Sequence, residues 1–202
     1  LTSAGDTDVV VASYDSSGAH RWSKRVGGAA WERGKSIVVD ASGNVSITGQ
    51  FYGSTDFGGG SMTSIGESDI FLANYDSSGA HRWSKRFGAT SWDSGWGVAV
   101  DGSGNIALTG SYRDNVDFGG KALTGVRVGD IFVASYDVNG VHRWSQGFGG
   151  QDSDIGTAVA VDSAGDVIVT GQFGDTVDFG GGALTCSGFA EDIFLVKLSA
   201  KP

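Results

Sequence analysis

One motif returns at a fixed interval, and it limits the architecture of this chain more than any other feature. Asp8 opens the run DVVVASYDSSGAHRWSKRVG, Asp69 opens DIFLANYDSSGAHRWSKRFG and Asp130 opens DIFVASYDVNGVHRWSQGFG, 61 residues apart each time. A fourth copy, DIFLVKLS, starts at Asp192, one residue late. The intervening stretches repeat as well, as SIVVDASGNVSITGQF, GVAVDGSGNIALTGSY and AVAVDSAGDVIVTGQF. Each is followed by an Asp-Phe-Gly-Gly element, at Asp56, Asp117 and Asp178. A chain written this way folds as a series of like units that bury their faces against one another.

Each unit reads as two hairpins. The β-rich runs Val9–Tyr14 and His20–Val26 flank Asp15-Ser16-Ser17-Gly18, and Ser36–Val39 and Val45–Thr48 flank Asp40 to Asn44. Asp first and Gly last fits a type I turn closed by a left-handed glycine. No stretch carries a 3.6-residue apolar period, so no helix is expected. Four short strands per fixed period select a β-propeller, whose blades are four-stranded sheets. The expected fold is therefore all-β, a propeller of four-stranded blades of about 61 residues, forming one array over residues 1–202. The repeats run approximately 1–61, 62–122 and 123–183, with a partial copy at 184–202. Val38, Val100 and Val161 are expected at equivalent positions, as are Ile47, Leu108 and Val169. The strand count gives three and a quarter blades, fewer than the four to eight that close a ring. With no initiator Met, this leads us to expect continuation in a longer chain or self-association with a second copy.

Composition excludes some functions. Glycine is abundant, at 35 residues, but 40% hydrophobic and 11% aromatic content is enough to build a core, so the glycines mark turns rather than disorder. A net charge of −9 argues against a general affinity for nucleic acid or anionic lipid. The single cysteine, Cys186, excludes an internal disulfide framework and a cysteine-based zinc site. No apolar run is long enough to span a membrane as a helix.

GVAVDGSGNIALTG and DIFLANYDSSGAHRWSKRFG resemble the bacterial SBBP-type β-propeller repeats and, more distantly, NHL-type blades. The resemblance covers essentially the whole chain. It implies that VAVD lies on the innermost strand, GNIALTG on the second, DIFLANYD on the third and HRWSKRFG on the outer one. It also implies an extracellular or cell-envelope setting in a bacterium, and it carries no activity of its own. One departure is the long link from Tyr52 to Ser68, where Asp-Phe-Gly-Gly is expected to form an extra hairpin.

Candidate sites follow from what repeats and what does not. His20, His81 and His142 fall in equivalent His-Arg-Trp triplets on different blades, too far apart to share one metal or triad. Trp22, Trp83 and Trp144 are expected to be structural, packing between blades. Glu32, Asp93 and Asp154 recur where the outer strand leads to the next inner strand, with Trp31 and Trp92 before the first two and Ser153 before the third. A carboxylate beside an indole suits sugar hydroxyls and an apolar sugar face, making Trp31, Glu32, Trp92, Asp93 and Asp154 the candidate ligand-binding residues. The alternative is that the acids accept backbone N–H bonds within their own loops. Asp56, Asp117 and Asp178 are each too isolated for a calcium loop and read as structural turn residues, so no metal is expected. Cys186, Phe189, Ala190, Glu191, Trp96, Arg113, Lys121 and Arg127 break the repeat without forming a catalytic set, so neither an enzyme nor a cofactor is expected. The expected function is a non-catalytic binding or structural module with a protein or carbohydrate ligand. Alternatives are a lectin-like propeller with one weak site per blade, or the wall of a larger propeller enzyme whose active site lies elsewhere.

Overall fold

The computed structural model describes residues 1–125, 128–187 and 191–199, and every regular element among them is a strand. The chain opens with the hairpin β1 (Val9–Tyr14) and β2 (His20–Val26). Next come β3 (Glu32–Val39), β4 (Val45–Phe51), a small hairpin β5 (Ser54–Asp56) and β6 (Ser61–Thr63), then β7 (Asp69–Tyr75) and β8 (His81–Phe87). The following unit has β9 (Ser94–Val100), β10 (Ile106–Tyr112), β11 (Asn115–Val116), β12 (Leu123–Thr124), β13 (Asp130–Tyr136) and β14 (His142–Phe148). The last has β15 (Ile155–Val161), β16 (Val167–Phe173), β17 (Thr176–Asp178), β18 (Ala183–Thr185) and β19 (Asp192–Leu198).

The sheets are β1-β2, β3-β4-β7-β8, β9-β10-β13-β14 and β15-β16-β19, all antiparallel, with the three small hairpins apart from them. That is thirteen blade strands, the three and a quarter propeller blades expected from the repeat. Turn chemistry makes the hairpins. Asp76 Oδ1 accepts the N–H groups of Ser78 (2.8 Å) and Ala80 (2.9 Å), while Gly79 N–H reaches Asp76 O at 2.9 Å. Ile47, Leu108 and Val169 do share one register position, opposite Ile37, Val98 and Val159. The other triplet needs a correction. Val39, not Val38, is equivalent to Val100 and Val161, since they pair with Val45, Ile106 and Val167. Val38 corresponds to Ala99 and Ala160, on the opposite face, because a one-residue slip reverses every side chain of a strand.

The blades stack in sequence order, with β3 packed on β9 and β9 on β15. Val98 N–H donates to Ser36 Oγ across the first of these contacts at 3.2 Å. Between the blades lies a core that includes Ile70, Leu72, Phe87, Leu108 and Phe132. The approach is close enough to require glycine. A Cβ at Gly95 would stand 2.3 Å from Thr48 Oγ1 of the neighbouring blade.

A second seam joins the outer strands. Trp22 Nε1 donates to Ser77 O (2.9 Å) and Trp83 Nε1 to Val138 O (3.2 Å), so each indole is tied to the β-turn of the next blade. Trp22 lies against Gly79, whose φ of +82° suits glycine alone. Trp144 is buried in the core of the last blades. In the extra hairpins, Phe57 and Phe118 are buried and their carbonyls accept the hydroxyls of Tyr75 and Tyr136, both at 2.9 Å. Asp56 Oδ1 accepts Gly58 N–H (2.6 Å) and Gly60 N–H (3.0 Å), Asp178 does the same for Gly180 and Gly182, and Asp117 accepts Gly119 N–H. Apolar side chains stand exposed on β3 (Ile37, Val39) and on β19 (Ile193, Leu195).

Trp83→Ala is expected to cost about 3 kcal/mol, the low end for loss of a packed indole because this ring is only half-buried. Trp83→Phe keeps the packing and loses the bond to Val138, costing about 1 kcal/mol. Denaturant titration of both variants checks the order; equal losses would remove the packing role.

Candidate binding site at the crossing between two blades

The crossing from an outer strand to the next inner strand is held by its acid. Asp93 is fully buried, with Oδ2 accepting Ala89 N–H (2.9 Å) in its own loop and Oδ1 accepting Arg113 N–H (2.8 Å) just after β10. Asp154 does the same, accepting Gly150 N–H (2.9 Å) and Gly174 N–H (3.1 Å). Glu32, one methylene longer, takes the hydroxyl of Thr55 on Oε1. Burial raises the pKa of all three. Asp93 is pushed up to about 7 and Asp154 to about 6, burial outweighing the backbone N–H bonds that favour the charged form.

The candidate set read from sequence therefore divides. The carboxylates of Glu32, Asp93 and Asp154 are sealed inside and engaged by the protein, so they do not stand beside the indoles as acceptors for a ligand hydroxyl. The indoles face outward, Trp92 exposed and Trp31 half-buried. Side chains alternate along an extended chain, and an acid turned inward turns the residue before it outward. Trp31 and Trp92 lie near-parallel across the seam between two blades, ring centroids 6.1 Å apart and planes within 16°. Tyr52 extends the row from Trp31 at the same 6.1 Å spacing, tilted by 23°. Its backbone N–H donates to Trp31 O at 3.1 Å, which fixes it beside the indole. Trp92 is 45% exposed and Tyr52 46%. The guanidinium carbon of Arg33 lies 5.1 Å from the Trp31 ring centre.

Next to the row, each innermost strand carries a β-bulge. The pairing jumps from Gly34 to Ser36, from Gly95 to Gly97 and from Gly156 to Ala158. The extra residues are Lys35, Trp96 and Thr157. A bulged residue is released from the ladder and its side chain re-aimed. Lys35 Nζ lies 4.2 Å over the Trp96 ring. The indole Nε1 of Trp96 is out of contact with solvent and has no hydrogen-bond partner.

Tyr52, Arg33 and Lys35 were not singled out from sequence. The available signal was their departure from the repeat, since Tyr52 stands where other copies have Arg113 and Gly174, and Arg33 where they have Ser94 and Ile155. His81 and His142 bond Ser84 Oγ (3.1 Å) and Ser145 Oγ (3.2 Å) on separate outer strands and take no part in the crossing. Of the other symmetry-breaking residues, Cys186 is buried among apolar side chains, and Arg127, Phe189 and Ala190 lie outside the described residues.

Comparison with known proteins supports the repeat architecture. No family model matches the chain. Regulatory protein FlaEY of Caulobacter vibrioides is 34% identical over 143 residues, covering 67% of this chain and 15% of that protein. An uncharacterized WD repeat-containing protein, L264, of Acanthamoeba polyphaga mimivirus is 28% identical over 112 residues, covering 46% of this chain and 8% of that protein. The chain thus spans a small fraction of either relative. These similarities fit a repeat-built β-structure, and membership of the SBBP type stays a resemblance of sequence.

The raised pKa of Asp93 has a consequence with a definite sign. The fold disfavours the charged carboxyl, so stability is greatest below the ordinary carboxylate range and falls as pH rises toward about 7. The slope from this one group is about 1.4 kcal/mol per pH unit at most. His81 and His142, with pKa values lowered by burial, act in the opposite direction. The difference between wild type and Asp93→Asn isolates the carboxyl, because the histidines contribute equally to both. Asp93→Asn is expected to be less stable, from loss of one N–H acceptor, and to show a flatter decline between pH 5 and pH 7 by thermal unfolding.

Proposed function

We propose that the chain is a non-catalytic binding module within a longer repeat protein, and that its ligand seat is the crossing where Tyr52, Trp31 and Trp92 align. The observation that carries this reading is the aromatic row itself, with Tyr52 and Trp92 exposed on either side of a half-buried Trp31. The fold does not require it. The third crossing keeps the buried acid and both backbone bonds, yet has Ser153 and Gly174 where the others have aromatic residues or arginine. Aromatic rings held at the surface where a smaller residue serves the fold mark a contact surface.

Flat rings with polar edges suit carbohydrate, whose C–H faces pack on indole and whose hydroxyls remain solvated. This reading differs from one weak site per blade, since the row is a single composite site across one seam. A glycan ligand fits an extracellular or envelope setting, which we propose with it. The second reading is a protein partner. It is favoured by relatives named as a regulatory protein and a WD repeat-containing protein, and by the residue types, since Trp, Tyr and Arg dominate interface hot spots. The exposed apolar faces of β3 and β19 support cover by further repeats.

Trp92→Ala is expected to abolish retention on a glycan array while lowering stability by about 2 kcal/mol, less than Trp83→Ala, since the ring is nearly half exposed yet stacks on Trp31. Retention equal to wild type would remove the row as the seat. If no glycan is retained and a protein partner is lost with Trp92→Ala, the second reading replaces the first.

A further inference from the structure

We infer that the ligand of this seat is an anionic sugar chain, its rings lying along Tyr52, Trp31 and Trp92 and its carboxylate or sulfate groups meeting Arg33 and Lys35. The inference rests on the carbohydrate reading above and adds the charge of the ligand.

Four positions depart from the repeat at this one seam. Trp31 and Trp92 give way to Ser153, Tyr52 to Arg113 and Gly174, Arg33 to Ser94 and Ile155, and the bulged residue is Lys35, then Trp96, then Thr157. The framework around them keeps its form. Gly34, Gly95 and Gly156 precede the three bulges, and an inward acid stands at each crossing. At this seam the varied positions carry Trp92, Tyr52, Arg33 and Lys35 to the surface, whereas their counterparts Ser94 and Gly174 are small and buried, so the large exposed groups belong to this crossing rather than to the frame.

The cations are placed with the aromatics rather than apart from them. Arg33 lies over Trp31 and Lys35 over Trp96, both on an exposed stretch of β3. Neither has a carboxylate partner among the ion pairs of the described residues, and the adjoining acid, Glu32, is turned inward. A guanidinium whose carbon lies over a ring still has N–H groups to offer a carboxylate or sulfate. The chain carries a net charge of −9, so its overall field opposes an acidic polymer and selection for one has to arise locally.

The test is an array of uronate-containing and sulfated glycans beside neutral ones, followed by titration with oligogalacturonate and with its methyl ester, which keeps the ring and loses the charge. Wild type is compared with the double variant Arg33→Gln, Lys35→Met and with Trp92→Ala. Acidic chains are expected to be retained over neutral ones, with oligogalacturonate bound about tenfold more tightly than its ester. The double variant should erase that difference and the salt dependence with it, while keeping a weak affinity shared by acid and ester. Trp92→Ala should lose both. Equal retention of acidic and neutral chains, unaffected by the double variant, overturns the anionic ligand and leaves the aromatic seat standing. An array on which no glycan is retained overturns this inference and the carbohydrate reading together.

Discussion

The carboxyl buried at each blade crossing is the interaction on which the rest depends. Asp93 ties the loop after β8 to the end of β10 by two backbone bonds, and Asp154 ties the loop after β14 to the end of β16 in the same way. Each crossing is thereby held at a fixed height against its blade. Once the acid points in, the side chain before it points out, and at two crossings that side chain is tryptophan. The aromatic row follows from a structural bond next to it in sequence. The same burial holds the pKa of Asp93 and Asp154 above the ordinary carboxylate range.

Around these crossings the blades are joined at two radii. Near the axis, Gly95 lets Thr48 approach to contact, and Ser36 accepts an N–H from β9. At the periphery, indoles of the outer strands reach carbonyls in the next turn. Two seams at different distances from the axis resist both hinging and sliding, so the angle between neighbouring blades is well determined. This matters for Trp31 and Trp92, which belong to different blades and form a near-parallel pair only if that angle holds. The binding surface inherits its geometry from contacts that the ligand never touches.

Much of this was legible in the sequence because repetition is visible in letters. The 61-residue interval, the four strands per unit and the Asp-to-Gly turns all appear as matching text, and matching text is what like units demand. What could not be read was register within a strand. Val38 and Val39 are both valines in a run of apolar residues, and only the pairing with Val45 decides which one faces the neighbouring core. The pairing of Trp with acid in the crossings was visible, but the text does not say that the two side chains face opposite ways. The place of Tyr52 is hidden in the sequence for a related reason. It lies 21 residues from Trp31 and comes beside it only through the pairing that places its N–H on the Trp31 carbonyl.

The bulge in each innermost strand carries an implication for how such a surface changes over time. Lys35, Trp96 and Thr157 sit in a break in the ladder, so their size and charge are decoupled from the sheet. Nothing in the frame selects among a cation, an indole and a small hydroxyl there, and all three occur within one chain. An array of this kind offers one variable position per repeat, at the bulge of each innermost strand. Recognition can therefore differ from copy to copy while the frame stays fixed, each bulged residue being felt only by the one beside it, as Lys35 is by Trp96.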